Sequence, residues 1–381
     1  MNPDDHASAL LTAITRSLDQ TSQALPDLAA RIQNWDAVIA LAFQHGMLPR
    51  LHLRLHQSAV LLPENARLRL QSAFNQNSIL SLRNAAELIR VLECFQQNRI
   101  DALPFKGVVL AVASYGDLAA RPAGDLDILI HYRDLLRATA LLRAQGYKLI
   151  TKVLADGTPE ATDYFEYHFE RPSDNMVIEL RWRLELTQPR FRRDLGLDWA
   201  WRNRSTALLA GAQVPDMDPE TRLIVLAMHG SKHIWSRLIW ILDVAQAISA
   251  SPNLDWHRAQ TEARQQGLWK PLAIGVLLAH HFSACAVPEF VLHRFRRDPE
   301  VLHIVRHVQE NLFRAPGAPP TGRVPYNVQL LDTRDRIRLV FSFNFLRPNE
   351  RDRAFVRLPR WLSPLYFVLR PLRILRDRSA R

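Results

Sequence analysis

Cysteine and lysine are both scarce in this chain, and each shortage is informative. Cys94 and Cys285 are the two cysteines among 381 residues, which excludes a disulfide framework or a cysteine-rich metal site and favours a reducing cytoplasm. Five of the 49 basic residues are lysines, at positions 106, 148, 152, 232 and 270. Lys106 and Lys232 therefore stand out in a chain that otherwise uses arginine.

Long apolar runs and a leader pattern are also missing. No uncharged apolar stretch of about 18 residues occurs, so we expect no transmembrane segment. The first twenty residues lack a basic start followed by an apolar run, so we expect no secretory signal. The composition, 48% hydrophobic and 23% charged, is typical of a globular protein with more than one structural unit.

Positive charge is concentrated near the C-terminus. Residues 351–381 hold nine Arg and two Asp, which accounts for +7 of the net charge of +11. Aromatic residues lie between these arginines, and three prolines interrupt helix formation. The tail would bind an anionic membrane surface, bind a nucleic-acid backbone, or pack against the rest of the chain. The charge of the remainder, about +4, is too small to argue for a tRNA partner.

Apolar periodicity predicts an α+β fold, with a small mixed β-sheet between two helical regions. Helical spacing dominates before residue 98 and returns from about residue 191, where Asp218-Pro219-Glu220 introduces a helix over about 220–248. The predicted units are an N-terminal helical region (1–98), a core (99–190), a C-terminal helical domain (191–350) and a basic aromatic tail (351–381). Strands are predicted within the core at 100–105, 125–131, 164–170 and 176–184, with a helix at 133–145.

Three acidic residues occupy two of these strands. Asp125 and Asp127 are separated by one residue, so their side chains leave the strand on the same face. Two carboxylates so close repel each other unless a cation lies between them, and Mg²⁺ prefers carboxylate and phosphate oxygens. Glu179 shares one face of a later strand with Arg181. If the two strands are neighbours, the three acids converge and can hold two Mg²⁺ ions, or Mn²⁺ in their place.

Two further groups of residues would complete a cleft around the acids. Lys106-Gly107 predicts a turn whose backbone N–H groups approach phosphate closely, and Arg121 would reach the same phosphates bidentately. The predicted 220–248 helix carries a polar stripe that either packs against another helix or contacts nucleotide or acceptor. The stripe comprises His229, Lys232, His233, Ser236, Trp240 and Asp243.

These motifs resemble those of an uncharacterised branch of the nucleotidyltransferases, within the DNA polymerase beta-like superfamily. The similarity extends over most of residues 30–250. Its matching positions are Trp35, His45-Gly46, Lys106-Gly107, Tyr115-Gly116-Asp117, Arg121, Asp125-Leu126-Asp127, Glu179-Leu180-Arg181-Trp182, His229-Gly230, His233, Trp235, Leu238, Trp240 and Asp243. There are two departures: Lys106-Gly107 stands where the wider superfamily usually has Gly-Ser, and Arg181 stands where the branch has a His.

The resemblance implies transfer of a nucleoside monophosphate from an NTP to an acceptor hydroxyl, with release of pyrophosphate. Asp125 and Asp127 would bind both metal ions, and Glu179 would complete one metal site and help to deprotonate the acceptor. The choice of NTP is open, with ATP a candidate, and the acceptor is RNA, a protein, a peptide or a small molecule. The alternative is an inactive binding module of the same fold that recruits RNA or an anionic membrane through its tail.

Overall fold

The computed structural model describes most of the chain. Described are residues 3–16, 24–122, 124–153, 165–184, 198–314, 316–320 and 325–333, with a few single positions between 336 and 369. Most of the basic aromatic tail, 351–381, therefore lies outside the described residues. Within the described part, no helix combines the length and apolar character that crossing a bilayer requires.

The N-terminal region is helical, as the sequence predicts. Its helices are α1 (Pro3–Ala13), α2 (Ala24–Ala30), α3 (Trp35–Gln44), α4 (Leu48–Gln57) and α5 (Glu64–Gln97). The long helix α5 buries Leu88, Val91 and Phe95 on one side, which packs against the sheet.

A five-stranded mixed sheet follows, so the predicted α+β class is confirmed. Its strands are β1 (Ala102–Pro104), β2 (Leu126–Ile130), β3 (Lys148–Leu149), β4 (Glu166–Arg171) and β5 (Met176–Arg181), in the order β1-β2-β5-β4-β3. Strands β2 and β5 are parallel, and the other neighbouring pairs are antiparallel. Between the strands lie the short helix α6 (Gly107–Leu110), which continues as a π-helical turn to Tyr115, and helix α7 (Leu135–Ala144).

The two faces of the sheet differ in character. Ile128, Ile178 and Leu180 belong to one apolar face, which packs against α5 and α7. Because strand side chains alternate, Asp127 and Glu179 project from the opposite face. That face is turned toward the second hydrophobic core, which includes Leu129 and the C-terminal helices.

The C-terminal region departs from the all-helical prediction. After α8 (Asp198–Arg202), strands β6 (Arg204–Leu209) and β7 (Ala212–Met217) form an antiparallel hairpin. Ala210 and Gly211, at its turn, have φ of 48° and 88°, the left-handed pair that a tight hairpin requires. In the sequence, Gly211 was the turn signal of this hairpin. The two half-exposed strands lack the clear apolar alternation that would have predicted them. The remaining helices are α9 (Pro219–Lys232), α10 (Leu238–Ser249), α11 (Trp256–Gln265), α12 (Trp269–Ser283), α13 (Glu289–Arg296), α14 (Pro299–Asn311) and α15 (Tyr326–Gln329).

The predicted single helix over 220–248 is wrong, because a turn divides it into α9 and α10. Its predicted start is confirmed: the Asp218 side chain accepts a hydrogen bond from the Thr221 N–H. Ile234 and Trp235, in the turn, have φ of 56° and 51°. Two left-handed residues cost about 2–4 kcal/mol, whereas burying an indole of about 200 Å² contributes about 5 kcal/mol. Trp235 is fully buried, so this burial outweighs the backbone strain.

Gly230 makes room for the Trp235 indole, so a larger side chain at this position should destabilise the protein. A Cβ at Gly230 would overlap the Trp235 ring. Alanine normally gains about 1 kcal/mol over glycine inside a helix, but overpacking costs about 1–3 kcal/mol or more. We therefore expect Gly230→Ala to lower the free energy of unfolding by about 2 kcal/mol in urea titrations. Gly124→Ala, where a Cβ meets nothing within 4 Å, is the control and should change it by less than about 0.5 kcal/mol. Equal effects of the two variants would contradict this packing argument.

Candidate active site

The three predicted acids converge on one face of the sheet. Asp127 and Glu179 are direct partners in the parallel pairing of β2 with β5, and Asp125 lies two residues before Asp127. One carboxylate oxygen from each of the three lies within 4.8 Å of the others. We call Asp125, Asp127 and Glu179 the acid cluster.

The turn before α6 brings a lysine to the acid cluster. The Nζ atom of Lys106 lies 3.0 Å from Oδ2 of Asp127. Gly107 has a φ of 60°, and a Cβ there would lie 3.4 Å from the carbonyl oxygen of Asp125. The positive φ favours glycine, while the space beside it would accept a Cβ in ordinary contact. The predicted turn at these two residues thus lies against the start of β2.

Arg181 contacts the acid cluster directly. Its Nε atom is 3.3 Å from Oδ1 of Asp127, and its guanidinium also forms ion pairs with Glu179 and Glu166. Strand geometry explains the ion pairs with Glu179 and Glu166. Arg181 follows Glu179 by two residues on the same face of β5, and it is the register partner of Glu166 on β4. Arg181 therefore contacts two of the three acids that the sequence assigned to metal.

His168 is a site residue that the sequence reasoning missed. It is the β4 partner of Glu179, and its Nδ1 atom lies 3.5 Å from Oε1 of Glu179. The alternation of β4, which places Glu166, His168 and Glu170 on one face, was the available signal. Using it required knowing that β4 pairs with β5 in this register.

Neighbouring charges shift the pKa values of Asp125 and Glu179 in opposite directions. Burial, with the negative charges of Asp127 and Glu179, raises the pKa of Asp125 to about 6. Burial also acts to raise the pKa of Glu179, but the positive charge of Arg181 outweighs it and brings that pKa to about 2. Asp125 is thus the member of the cluster whose negative charge is least compensated.

Arg121, predicted to hold phosphates, is paired with another residue. Its Nε and Nη2 atoms lie 2.8 Å and 3.0 Å from the two carboxylate oxygens of Asp243, on α10. The Tyr115 hydroxyl donates a hydrogen bond of 2.6 Å to the same carboxylate. Arg121 and Asp243 therefore join the approach to β2 to the C-terminal helices, and a direct contact of Arg121 with phosphate stays a prediction.

Three rings of the predicted polar stripe form what we call the aromatic wall: His229, His233 and Trp240. Their centroids are 4.7 Å to 5.5 Å apart, although His229 lies on α9, His233 directly after it and Trp240 on α10. Burial, then the charge of Lys106, places the pKa of His229 well below its usual range. His233 is more exposed, and its partial burial, then the charges of Lys232 and Lys106, lowers its pKa to about 4. The wall is therefore uncharged at pH 7 and lies within electrostatic reach of the lysine that contacts Asp127.

The residues present fit a divalent cation. Oδ1 of Asp127 is buried and accepts no hydrogen bond from the described residues. Carboxylate oxygens are the donors that Mg²⁺ and Mn²⁺ prefer, and the acid cluster offers three of them. The arrangement can thus bind an ion and, through it, the phosphates of a nucleotide.

Asp125 and Asp127 should affect the stability of the metal-free protein in opposite directions. Raising the Asp125 pKa from 3.8 to about 6 is equivalent to about 3 kcal/mol, which we reduce to about 1–3 kcal/mol for partial exposure. The folded state binds this proton more tightly than the unfolded state, so stability falls as pH rises from about 4 to about 6. We expect Asp125→Asn to raise the free energy of unfolding at pH 7 in EDTA and to remove that fall.

Asp127→Asn is the matched control, because its carboxylate has Lys106 and Arg181 as partners. Removing one partner of a buried ion pair destabilises a protein, so this variant should lose stability under the same conditions. Urea titrations at pH 4.5 and 7 measure both effects. A loss of stability in both variants at pH 7 would contradict the assignment of the uncompensated charge to Asp125.

Comparison with known proteins places this site in a family. Residues 32–284 match a family model described as "Uncharacterised nucleotidyltransferase". No curated protein matches the chain. Among solved structures, an antigenic nucleotidyltransferase-like protein from Paracoccidioides brasiliensis has 18% identity and a TM-score of 0.29, over 51% of this chain and 91% of that chain. On the family match, which spans more than half of its length, this chain belongs to the uncharacterised nucleotidyltransferase family.

Proposed function

We propose that the chain is a metal-dependent nucleotidyltransferase that transfers a nucleoside monophosphate from an NTP to an acceptor hydroxyl. The observation that carries this proposal is the acid cluster, whose ligand oxygens lie within 4.8 Å of one another on two neighbouring strands. Family membership supports the class of reaction. The bound ion would be Mg²⁺, with Mn²⁺ as the alternative.

A divalent ion at the acid cluster would neutralise charge that develops on the phosphates. In the proposed reaction the acceptor oxygen forms a bond to the α-phosphorus. The bond from that phosphorus to the oxygen bridging to the β-phosphate breaks, pyrophosphate leaves, and the hydroxyl proton passes to solvent. Positioning and charge neutralisation supply most of the rate enhancement in such chemistry.

The acids have different parts in this proposal. Asp125 and Asp127 hold the ion, because one lies directly before β2 and the other within it, beside the turn that carries Lys106. Glu179 completes the ligand set and orients the acceptor. The sequence also assigns Glu179 a part in deprotonating the acceptor, and that role stays a prediction.

The phosphates would lie beside Lys106 and Gly107. The Lys106 ammonium already occupies a position 3.0 Å from Asp127, between the acid cluster and the turn. A triphosphate offers it more negative charge than one carboxylate does, so we expect it to contact phosphate when nucleotide binds. Arg121 acts as a positioning residue through its ion pair with Asp243.

The aromatic wall would form the opposite side of the cleft. Its two imidazoles are uncharged at pH 7, so they can pack against a base or an apolar part of the acceptor without a charge penalty. Lys232 ends α9 beside His233 and would interact with the negative charge of either substrate. This surface would therefore contribute to the choice of nucleotide and acceptor.

Labelling of cell extract tests the proposal. The protein is incubated with extract, Mg²⁺ and each NTP labelled at the α-phosphate, and the labelled material is sorted into RNA, protein, peptide and small molecules. We expect Asp127→Ala to lower labelling on the order of 10³-fold, because it removes a central ion ligand. Asp101→Ala, which removes an exposed acid, is the control and should label at the wild-type rate.

Two results would count against the proposal. Wild-type labelling by Asp127→Ala would show that the acid cluster does not carry the reaction. Absence of any Mg²⁺-dependent rise in melting temperature with any NTP would favour the inactive binding module instead.

A further inference from the structure

The site contains more negative than positive fixed charges, and the difference is small. Four carboxylates, those of the acid cluster and Glu166, lie together with the two cations Lys106 and Arg181. A single divalent ion therefore makes the described part of the site neutral before nucleotide arrives. A second ion would leave an excess of positive charge in a largely buried place, which is unfavourable.

The Arg181 guanidinium also contacts two of the acids at once. It forms ion pairs with both Asp127 and Glu179, the pair set side by side by the register of β2 and β5. An ion bridging these two carboxylates would have to approach a fixed positive charge. Arginine cannot lose that charge by deprotonation at ordinary pH.

Asp125 differs from Asp127 and Glu179 in its lack of a basic partner within the described part of the chain. Among the described residues, no basic side chain forms an ion pair with it, while Asp127 is paired through both of its oxygens. Each carboxylate oxygen has two lone pairs, so Asp127 can keep Arg181 and still bind an ion shared with Asp125. The open coordination position is therefore on the Asp125 side of the cluster.

We propose, on the basis of the proposed function, that Arg181 takes the position of a second divalent ion, so that the nucleotide-free site binds one ion, shared by Asp125 and Asp127. Arg181 then acts as a built-in cation that holds Glu179 and Asp127 in place.

Titration with Mn²⁺ in the absence of nucleotide measures the number of divalent ions bound per chain. Calorimetric titration and the electron paramagnetic resonance signal of free Mn²⁺ should both give one ion per wild-type chain, with the spectrum of an isolated ion. Arg181→Met removes the charge at similar length and should bind two ions. Arg181→Lys keeps a charge and should bind one. Arg143→Met, which removes an exposed arginine at the end of α7, is the charge control and should also bind one.

Two ions in the wild type, or a spin-coupled spectrum of two neighbouring Mn²⁺ ions, would overturn the proposal, as would one ion in a folded Arg181→Met protein. The wild-type spectrum decides the count even if Arg181→Met does not fold. Melting temperatures give a second measurement: Arg181→Met should be less stable than wild type in EDTA and gain more from Mn²⁺. An equal gain in both proteins would count against the inference.

The result also separates this inference from the proposed function. Two ions in the wild type, with NTP-dependent labelling intact, would remove the built-in cation and leave the nucleotidyltransferase proposal standing. No Mn²⁺ bound by the wild type, with no labelling from any NTP, would overturn both.

Discussion

Parallel pairing of β2 with β5 sets Asp127 beside Glu179, and the rest of the site is arranged around the negative charge that this pairing gathers. Buried carboxylates are unfavourable unless cations or hydrogen-bond donors accompany them. The turn before α6 supplies Lys106, and β5 itself supplies Arg181. The same register that assembles the site therefore also assembles the charges that let it fold without metal.

The C-terminal helices complete the site through packing. Burial of Trp235 ends α9 and turns the chain into α10, so His229 and Trp240 meet although they lie on different helices. The buried ion pair between Arg121 and Asp243 joins these helices to the loop that leads into β2. An interaction that stabilises the fold thus also connects the helix that carries Trp240 to the chain segment before Asp125.

Asp125 and Arg181 represent two responses to the same electrostatic problem. Arg181 forms permanent ion pairs with Asp127 and Glu179, whereas Asp125 has a raised pKa and the least compensated charge of the three acids. Stability is thereby lost at one carboxylate in a place where binding a cation would recover it. Such trade-offs between stability and activity are common where a site must bind a charged ligand.

The sequence by itself determined the α+β class, the acids at positions 125, 127 and 179 and the turn at Lys106-Gly107, because each depends on local alternation, composition and turn chemistry. It did not determine strand partners or contacts between distant segments, so His168 was missed, the ion pair of Arg121 with Asp243 was not foreseen, and the β6–β7 hairpin was not predicted. The division of the 220–248 segment depended on room for the Trp235 indole beside Gly230 and Gly275. Only the tertiary structure decided these features, because each depends on contacts between segments that are distant in sequence.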